Sequence, residues 1–148
     1  MPASEPAAMD AWRSFVRAKC EIRRSINREL KEHGLTNSQL DILRVLAGAG
    51  SKGAKLNEVS HRLYVTSGNI TGLIDRLEEA GCLARVPHPE DRRITLAVLT
   101  PAGREVFEHI YPSYVARIQH LMSVLTDQEQ ALLGDLLARI ADQAAEMS

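Results

Sequence analysis

Leu56–Arg93 reads LNEVSHRLYVTSGNITGLIDRLEEAGCLARVPHPEDRR, and this stretch decides the fold. It divides into a short helix, a tight connection, a second helix and a hairpin with arginines at its tip. From Val65 to Gly72 the second helix offers hydroxyls, an amide and bare backbone where a solvated helix usually carries Glu and Lys. Ser, Thr, Asn and Gly are weak helix formers, so they are poor choices for a face that only meets water. They suit a helix lying in the major groove of DNA, which admits a helix and displays hydrogen-bonding base edges.

Working outward, Asn57 is placed to cap a helix over Glu58–Leu63 whose inward residues are Val59 and Leu63. Thr66 is placed to cap the next helix, with Val65 and Ile70 as a hydrophobic staple. Ile70, Leu73, Ile74 and Leu77 recur at core spacing, and Gly81 supplies a left-handed stop. Leu83–Val86 and Ile94–Val98 read as antiparallel strands, the second alternating Ile94, Leu96 and Val98 on one buried face. Pro87 to Arg93 forms the polar loop between them. A helix-turn-helix followed by such a ribbon is a winged helix-turn-helix.

On the N-terminal side, residues 1–8 read as a loose terminus. A helix follows from about Met9 to His33 with Trp12, Phe15, Val16, Ile22, Ile26 and Leu30 along one face, and Gly34 stops it. Thr36 and Gln39 form a capping box, with Leu35 and Leu40 as its staple. Leu40, Leu43, Leu46 and Ala47 give that next helix its stripe, with Ile42 a second contact. Ala54–Leu56 is short enough for a minimal strand.

On the C-terminal side, Thr100 and Pro101 start a helix that runs to about Leu125, with Pro112 inside it. From Phe107 to Leu125 it carries more apolar surface than a small lobe covers. Thr126 and Glu129 form a second capping box before an amphipathic helix on Leu132, Leu133, Leu136, Leu137 and Ile140. The fold class expected is therefore mainly α with a small antiparallel β-wing. Residues 9–35 and 101–146 are read as a helical dimerisation lobe, and 36–100 as the DNA-binding lobe. A two-fold homodimer sets two reading helices about one DNA turn apart, against a palindromic duplex.

Composition narrows the function classes. The 148 residues, 45% apolar and 25% charged, are ordinary for a globular domain. A net charge of −1 excludes a generally basic coat, though not local positive patches. No signal peptide and no bilayer-length apolar run is evident, and Cys20 and Cys82 form no disulfide framework, so a cytoplasmic location is expected. No catalytic pair or glycine-rich phosphate loop appears, so an enzyme is not expected and no cofactor is implied. His33, His61, His88, His109 and His120 lack ligand spacing, so no metal site is expected.

The sequence resembles the MarR family of bacterial transcription regulators over essentially its whole length. The resemblance rests on PEDRRITLAVLTPAGR, Pro89 to Arg104, together with VTSGNITGLIDRLEEAGCL, Val65 to Leu83, in this order and spacing. It implies a homodimeric DNA-binding regulator, often a repressor released by a small phenolic or other aromatic anion. It also implies that Arg93 enters the minor groove from the wing and that Asp91 fixes its direction. Independently of the family, a hairpin tip is thin enough for the minor groove and a guanidinium favours its negative potential. The other reading of Asp91 and Arg93 is a solvated turn with a local ion pair.

The remaining candidates have two readings each. Thr66, Ser67, Asn69, Thr71 and Arg76 are expected to meet bases or backbone, although Thr66 also reads as a plain helix cap. Arg92, Lys52, Lys55 and Arg62 suit phosphate, or are simply solvated charge. Gly68 and Gly72 need a close neighbour to justify their place in a helix. Trp12, Phe15, His33 and Arg104 suit a crevice for an aromatic carboxylate, Trp12 being similar in placement to a tryptophan of the urate-responsive branch. A tryptophan and a phenylalanine on an apolar stripe are also ordinary core or dimer-interface residues. Cys20 reads as a redox sensor activated by Arg17, Arg23 and Arg24, or as a small hydrophobe. The alternatives to a ligand-released repressor are a redox-responsive repressor sensing through Cys20 and a winged-helix protein-interaction module.

Overall fold

The computed structural model describes residues 6–63 and 67–148, residues 67 and 68 by their backbone alone. The chain packs into two compact units, Met1–Pro112 and Ser113–Ser148. The first contains α1 (Ala7–Lys31), α2 (Asn37–Ala49), β1 (Ala54–Lys55), α3 (Leu56–Leu63), α4 (Ser67–Glu79), β2 (Leu83–Pro87), β3 (Thr95–Leu99) and the start of α5 (Pro101–Met122). The second contains the rest of α5 and α6 (Asp127–Glu146). Among the described residues, no helix is long and apolar enough to cross a membrane.

Local sequence signals place most of these boundaries. Thr36 Oγ1 accepts from Gln39 N, and the Gln39 side chain accepts from Thr36 N at 2.9 Å, which closes the expected capping box of α2. Thr126 and Glu129 repeat the arrangement at α6. Gly34, at φ 72°, and Gly81, at φ 77°, end α1 and α4 in the same way. In each case the glycine N–H bonds three residues back and the following N–H bonds five residues back, to Leu30 O and Leu77 O. That pairing satisfies the last carbonyls of both helices.

The core of the first unit forms where α2, α3 and α4 meet the sheet. Leu40, Ile42, Leu43 and Leu46 of α2, Val59 of α3 and Ile74 and Leu77 of α4 are almost wholly buried. Burial of each such side chain contributes roughly 1.5–3 kcal/mol. In α2, Val45 and Ile42 are buried beside the expected stripe, so this helix is covered on more than one side.

The sheet order is β1–β3–β2, all antiparallel, with Ala54 opposite Ala97 and Arg85 also opposite Ala97. Because β3 is the central strand, one detail of the sequence reading changes. The expected alternation through Ile94, Leu96 and Val98 does not hold, since Leu96 and its neighbour Ala97 are both buried while Val98 is half-buried. The chain also approaches β3 closely at Gly53, where φ is 67° and a Cβ would come within 2.6 Å of Ala97 O. Three boundaries also differ. Helix α1 begins at Ala7, inside the stretch expected to be loose, and α5 ends at Met122. Helix α3 begins at Leu56, so Asn57 lies in its first turn and Glu58 accepts from Lys55 N at 3.3 Å. The expected Thr66 cap and Val65 staple fall outside the described residues.

Helices α5 and α6 are little covered within one chain. Of α5 only Gly103 and Ile110 are buried, and of α6 no residue is. In the N-terminal half of α1 Met9, Trp12, Phe15 and Val16 are exposed.

Candidate nucleic-acid interface

Helix α4 turns Ile70, Leu73, Ile74 and Leu77 inward, which fixes what it presents outward. Asn69, Thr71, Gly72, Asp75 and Arg76 are exposed. Ser67 opens the helix, and its side chain, like Thr66 as a whole, lies outside the described residues. Gly72 has no packing reason to be glycine, because a Cβ added there would meet nothing within 4 Å. The outward surface is therefore small, polar and open, as a base-reading face needs to be.

One residue of the site was not anticipated from sequence. Arg85, on β2, forms ion pairs with Asp75 and Glu78 of α4, the latter at 3.0 Å, and its N–H donates to Glu78 at 2.9 Å. The hydrogen bond to Asp75 is the main reason the Arg85 guanidinium is held even more firmly protonated than usual. Arg85 thus fastens the wing to α4 and offsets one of the two negative charges it pairs with. A signal was present: two acids at helical spacing before a tight Gly81 turn invite a cation on the returning strand.

At the hairpin tip, Asp91 grips Arg93 with both carboxylate oxygens. Arg93 Nε reaches Oδ1 at 3.0 Å and Nη2 reaches Oδ2 at 2.9 Å, while Arg93 N–H donates to Oδ1 at 3.1 Å. The Arg93 side chain is 90% exposed, so its guanidinium is held by Asp91 in solvent rather than packed into the protein. The side-chain bond from Arg93 holds the Asp91 carboxyl below the usual carboxylate range. Ile94 N bonds Asp91 O and His88 N bonds Ile94 O, closing the loop. Arg92 is exposed beside this pair. Lys55 is half-exposed on β1, and Lys52 and Arg62 are exposed, Arg62 lining a shallow depression on α3 with Asn57, Glu58 and His61.

The four effector candidates do not converge within one chain. Trp12 and Phe15 form a tilted ring pair at 5.8 Å on the exposed half of α1. His33 lies beyond the other end of that helix, about 27 Å further along at 1.5 Å per residue, where it meets His109 edge-on. Arg104 is on α5, 3.9 Å from Glu108. Cys20 is exposed on a face of α1 that it shares with Arg23, Arg24, Asn27, Arg28 and Lys31. Cys82 is buried, and burial pushes its thiol pKa up. Among the described residues, no three His, Cys, Asp or Glu side chains gather as a metal site would require.

Comparison with known proteins agrees with this geometry. Residues 33–94 match the MarR family model. The chain is 37% identical over 132 residues to the uncharacterized HTH-type transcriptional regulator YkoM of Bacillus subtilis, covering 89% of this chain and 84% of that one. A MarR family transcriptional regulator from Streptomyces coelicolor, solved in complex with DNA, superposes with a TM-score of 0.88 at 25% identity, over 97% of this chain and 91% of that one. CouR from Rhodococcus jostii RHA1, solved bound to p-coumaroyl-CoA, superposes with a TM-score of 0.81 at 26% identity, over 93% and 96%. The chain belongs to the MarR family of winged helix-turn-helix regulators, which act on transcription by binding DNA and not by catalysis.

Proposed function

We propose that the protein is a homodimeric transcription repressor that holds a palindromic duplex with α4 in the major groove and the wing tip in the minor groove. Residues 36–100 are its DNA-binding lobe, and 9–35 with 101–146 its dimerisation lobe. The observation that carries this reading is the Arg93 guanidinium, exposed at a hairpin tip yet fixed by both oxygens of Asp91. A cation pre-positioned in solvent loses little freedom on entering a groove, and a narrow groove concentrates negative potential around it. Thr66, Ser67, Asn69 and Thr71 are assigned to base edges and nearby backbone, and Arg76, Arg92, Lys55 and Arg62 to phosphate or sugar.

A small aromatic anion is the releasing signal we assign. The exposed Trp12–Phe15 pair offers aromatic surface, and His33 and Arg104 offer positive or hydrogen-bonding groups. Since the Trp12–Phe15 pair and His33 lie towards opposite ends of α1 in one chain, a single pocket using all four takes them from both subunits. The relative solved with p-coumaroyl-CoA supports the aromatic class. The second reading, oxidation at Cys20, is favoured by one observation: the thiol is exposed, so an oxidant in solution can reach it.

The test is operator binding by the parent and by Arg93→Ala at several salt concentrations, on a duplex enriched from a random pool. Arg93→Ala should weaken binding by about 10-fold or more and reduce the salt dependence by about one unit per wing. Equal affinity at equal salt would refute the wing assignment. Aromatic acids and peroxide added to the same assay separate the two release signals.

A further inference from the structure

The tip of the wing is built on a histidine. Pro87 and Pro89 flank His88 and carry no N–H, so the first free donors of the loop are those of Glu90 and Asp91. Both bond to the same atom: His88 Nδ1 accepts from Glu90 N at 3.1 Å and from Asp91 N at 3.3 Å. Asp91, held there by its backbone, then accepts from the backbone and guanidinium of Arg93. The chain of bonds runs from the imidazole through the Asp91 backbone and carboxylate to the groove-facing cation.

Turns of this kind are ordinarily organised by Asn, Asp or Ser, whose oxygens accept from N–H groups two and three residues on. An imidazole does the same only while Nδ1 bears no proton, which places the hydrogen on Nε2. Imidazolium has two N–H donors and no acceptor, so protonation removes both bonds at once.

We propose that His88 is a positioning residue for Arg93, and that its neutral Nδ1 is required for the wing to present that arginine to DNA. The inference rests on the reading that Arg93 contacts DNA. Operator affinity then falls as the medium becomes acidic, against the general tendency of added positive charge to strengthen binding to a polyanion.

The charged groups of the hairpin around the imidazole are Glu90, Asp91, Arg92 and Arg93, and Asp91 interacts with it electrostatically. On the strands themselves, Thr95 of β3 stands opposite Pro87, and Arg85 of β2 is engaged with Asp75 and Glu78. Asp91, held below the usual carboxylate range by Arg93, stays ionised far below neutral pH, so loss of the Asp91–Arg93 pair does not imitate the effect.

The experiment compares the parent, His88→Asn, His88→Leu and Arg93→Ala for binding to one operator duplex at about pH 8 and about pH 5.5, at fixed ionic strength. Asn retains an acceptor at this position and does not titrate. His88→Asn should match the parent at the higher pH, and the parent should lose about fivefold relative to it at the lower pH. His88→Leu should bind about tenfold more weakly than the parent at the higher pH, with an unchanged melting temperature. Ring nitrogen shifts in the free protein should show the Nε2–H tautomer at the higher pH.

Parallel behaviour of the parent and His88→Asn across pH overturns the proposal, as does an Nδ1–H tautomer. Should His88→Leu fold poorly, the Asn variant and the tautomer still decide the matter. If Arg93→Ala binds like the parent, it is the wing reading that fails. If Arg93→Ala is weak while His88→Leu binds normally, only the role of His88 is lost.

Discussion

Gly72 and Gly103 are both glycines inside helices, yet they are there for opposite reasons. A glycine in a helix interior costs about 1 kcal/mol relative to alanine. At Gly103 the fold requires it: a Cβ would overlap the carbonyl of Cys82, where α5 starts against the end of α4. At Gly72 nothing in the chain requires it, because the space around it is open. Gly72→Ala should therefore raise stability by about 0.5–1 kcal/mol in chemical denaturation and weaken operator binding by about fivefold or more, since the methyl takes up space next to the base edges. Gly103→Ala should lower stability by about 2 kcal/mol or more. An alanine at 72 that stabilised the protein and left operator affinity unchanged would remove this face of α4 from the groove.

Between elements, α4 is fastened at two places. Thr100 bonds Gly81 O at 2.6 Å and Cys82 O at 3.1 Å, tying the start of α5 to the end of α4. Arg85 ties β2 to the C-terminal half of α4 through Asp75 and Glu78. Arg85→Met should cost about 1–2 kcal/mol, a modest figure because the pair is partly solvated. Its effect on operator binding should be larger than on stability, because two carboxylates of α4, the helix proposed to enter the groove, then lose their cation. Asp75→Asn with Glu78→Gln in that background should restore part of the affinity if charge dominates; no recovery would leave geometry as the role of Arg85. This junction also marks where the sequence was readable. The capping boxes at Thr36 and Thr126, the stops at Gly34 and Gly81 and the short-range Asp91–Arg93 pair are encoded within a few residues, and they were legible. The burial of Ala97 was not, because β3 is the central strand and its neighbour β1 comes from far away in the chain. Arg85 was missed because its partners lie seven and ten positions earlier, across a turn. The separation of Trp12 from His33 follows from the unbroken length of α1, which a list of candidate residues does not convey.

For the whole molecule, the unanswered surface is apolar. In the second unit Leu132, Leu136, Leu137 and Ile140 of α6 are exposed, and in the first unit so are Met9, Trp12, Phe15 and Val16 of α1. Stripes of this kind mark association surfaces, because water penalises leaving them open. A second copy of the chain is the occupant we assign, since a palindrome needs two α4 helices held at fixed spacing. Once one half-site is bound, the tether presents the second reading head at millimolar effective concentration, which raises affinity by about 10²–10⁴ without any new contact to DNA. Leu136→Arg combined with Ile140→Arg should therefore yield a monomer by sedimentation. It should bind the full operator about 100-fold or more weakly, with roughly half the salt dependence, since half the phosphate contacts are made. The parent's melting temperature should rise with protein concentration, and that of the variant should not. A variant that remains dimeric and binds a full palindrome with parental affinity would place the interface away from α6, whereas a monomer that still binds with parental affinity would show that the two reading heads act independently.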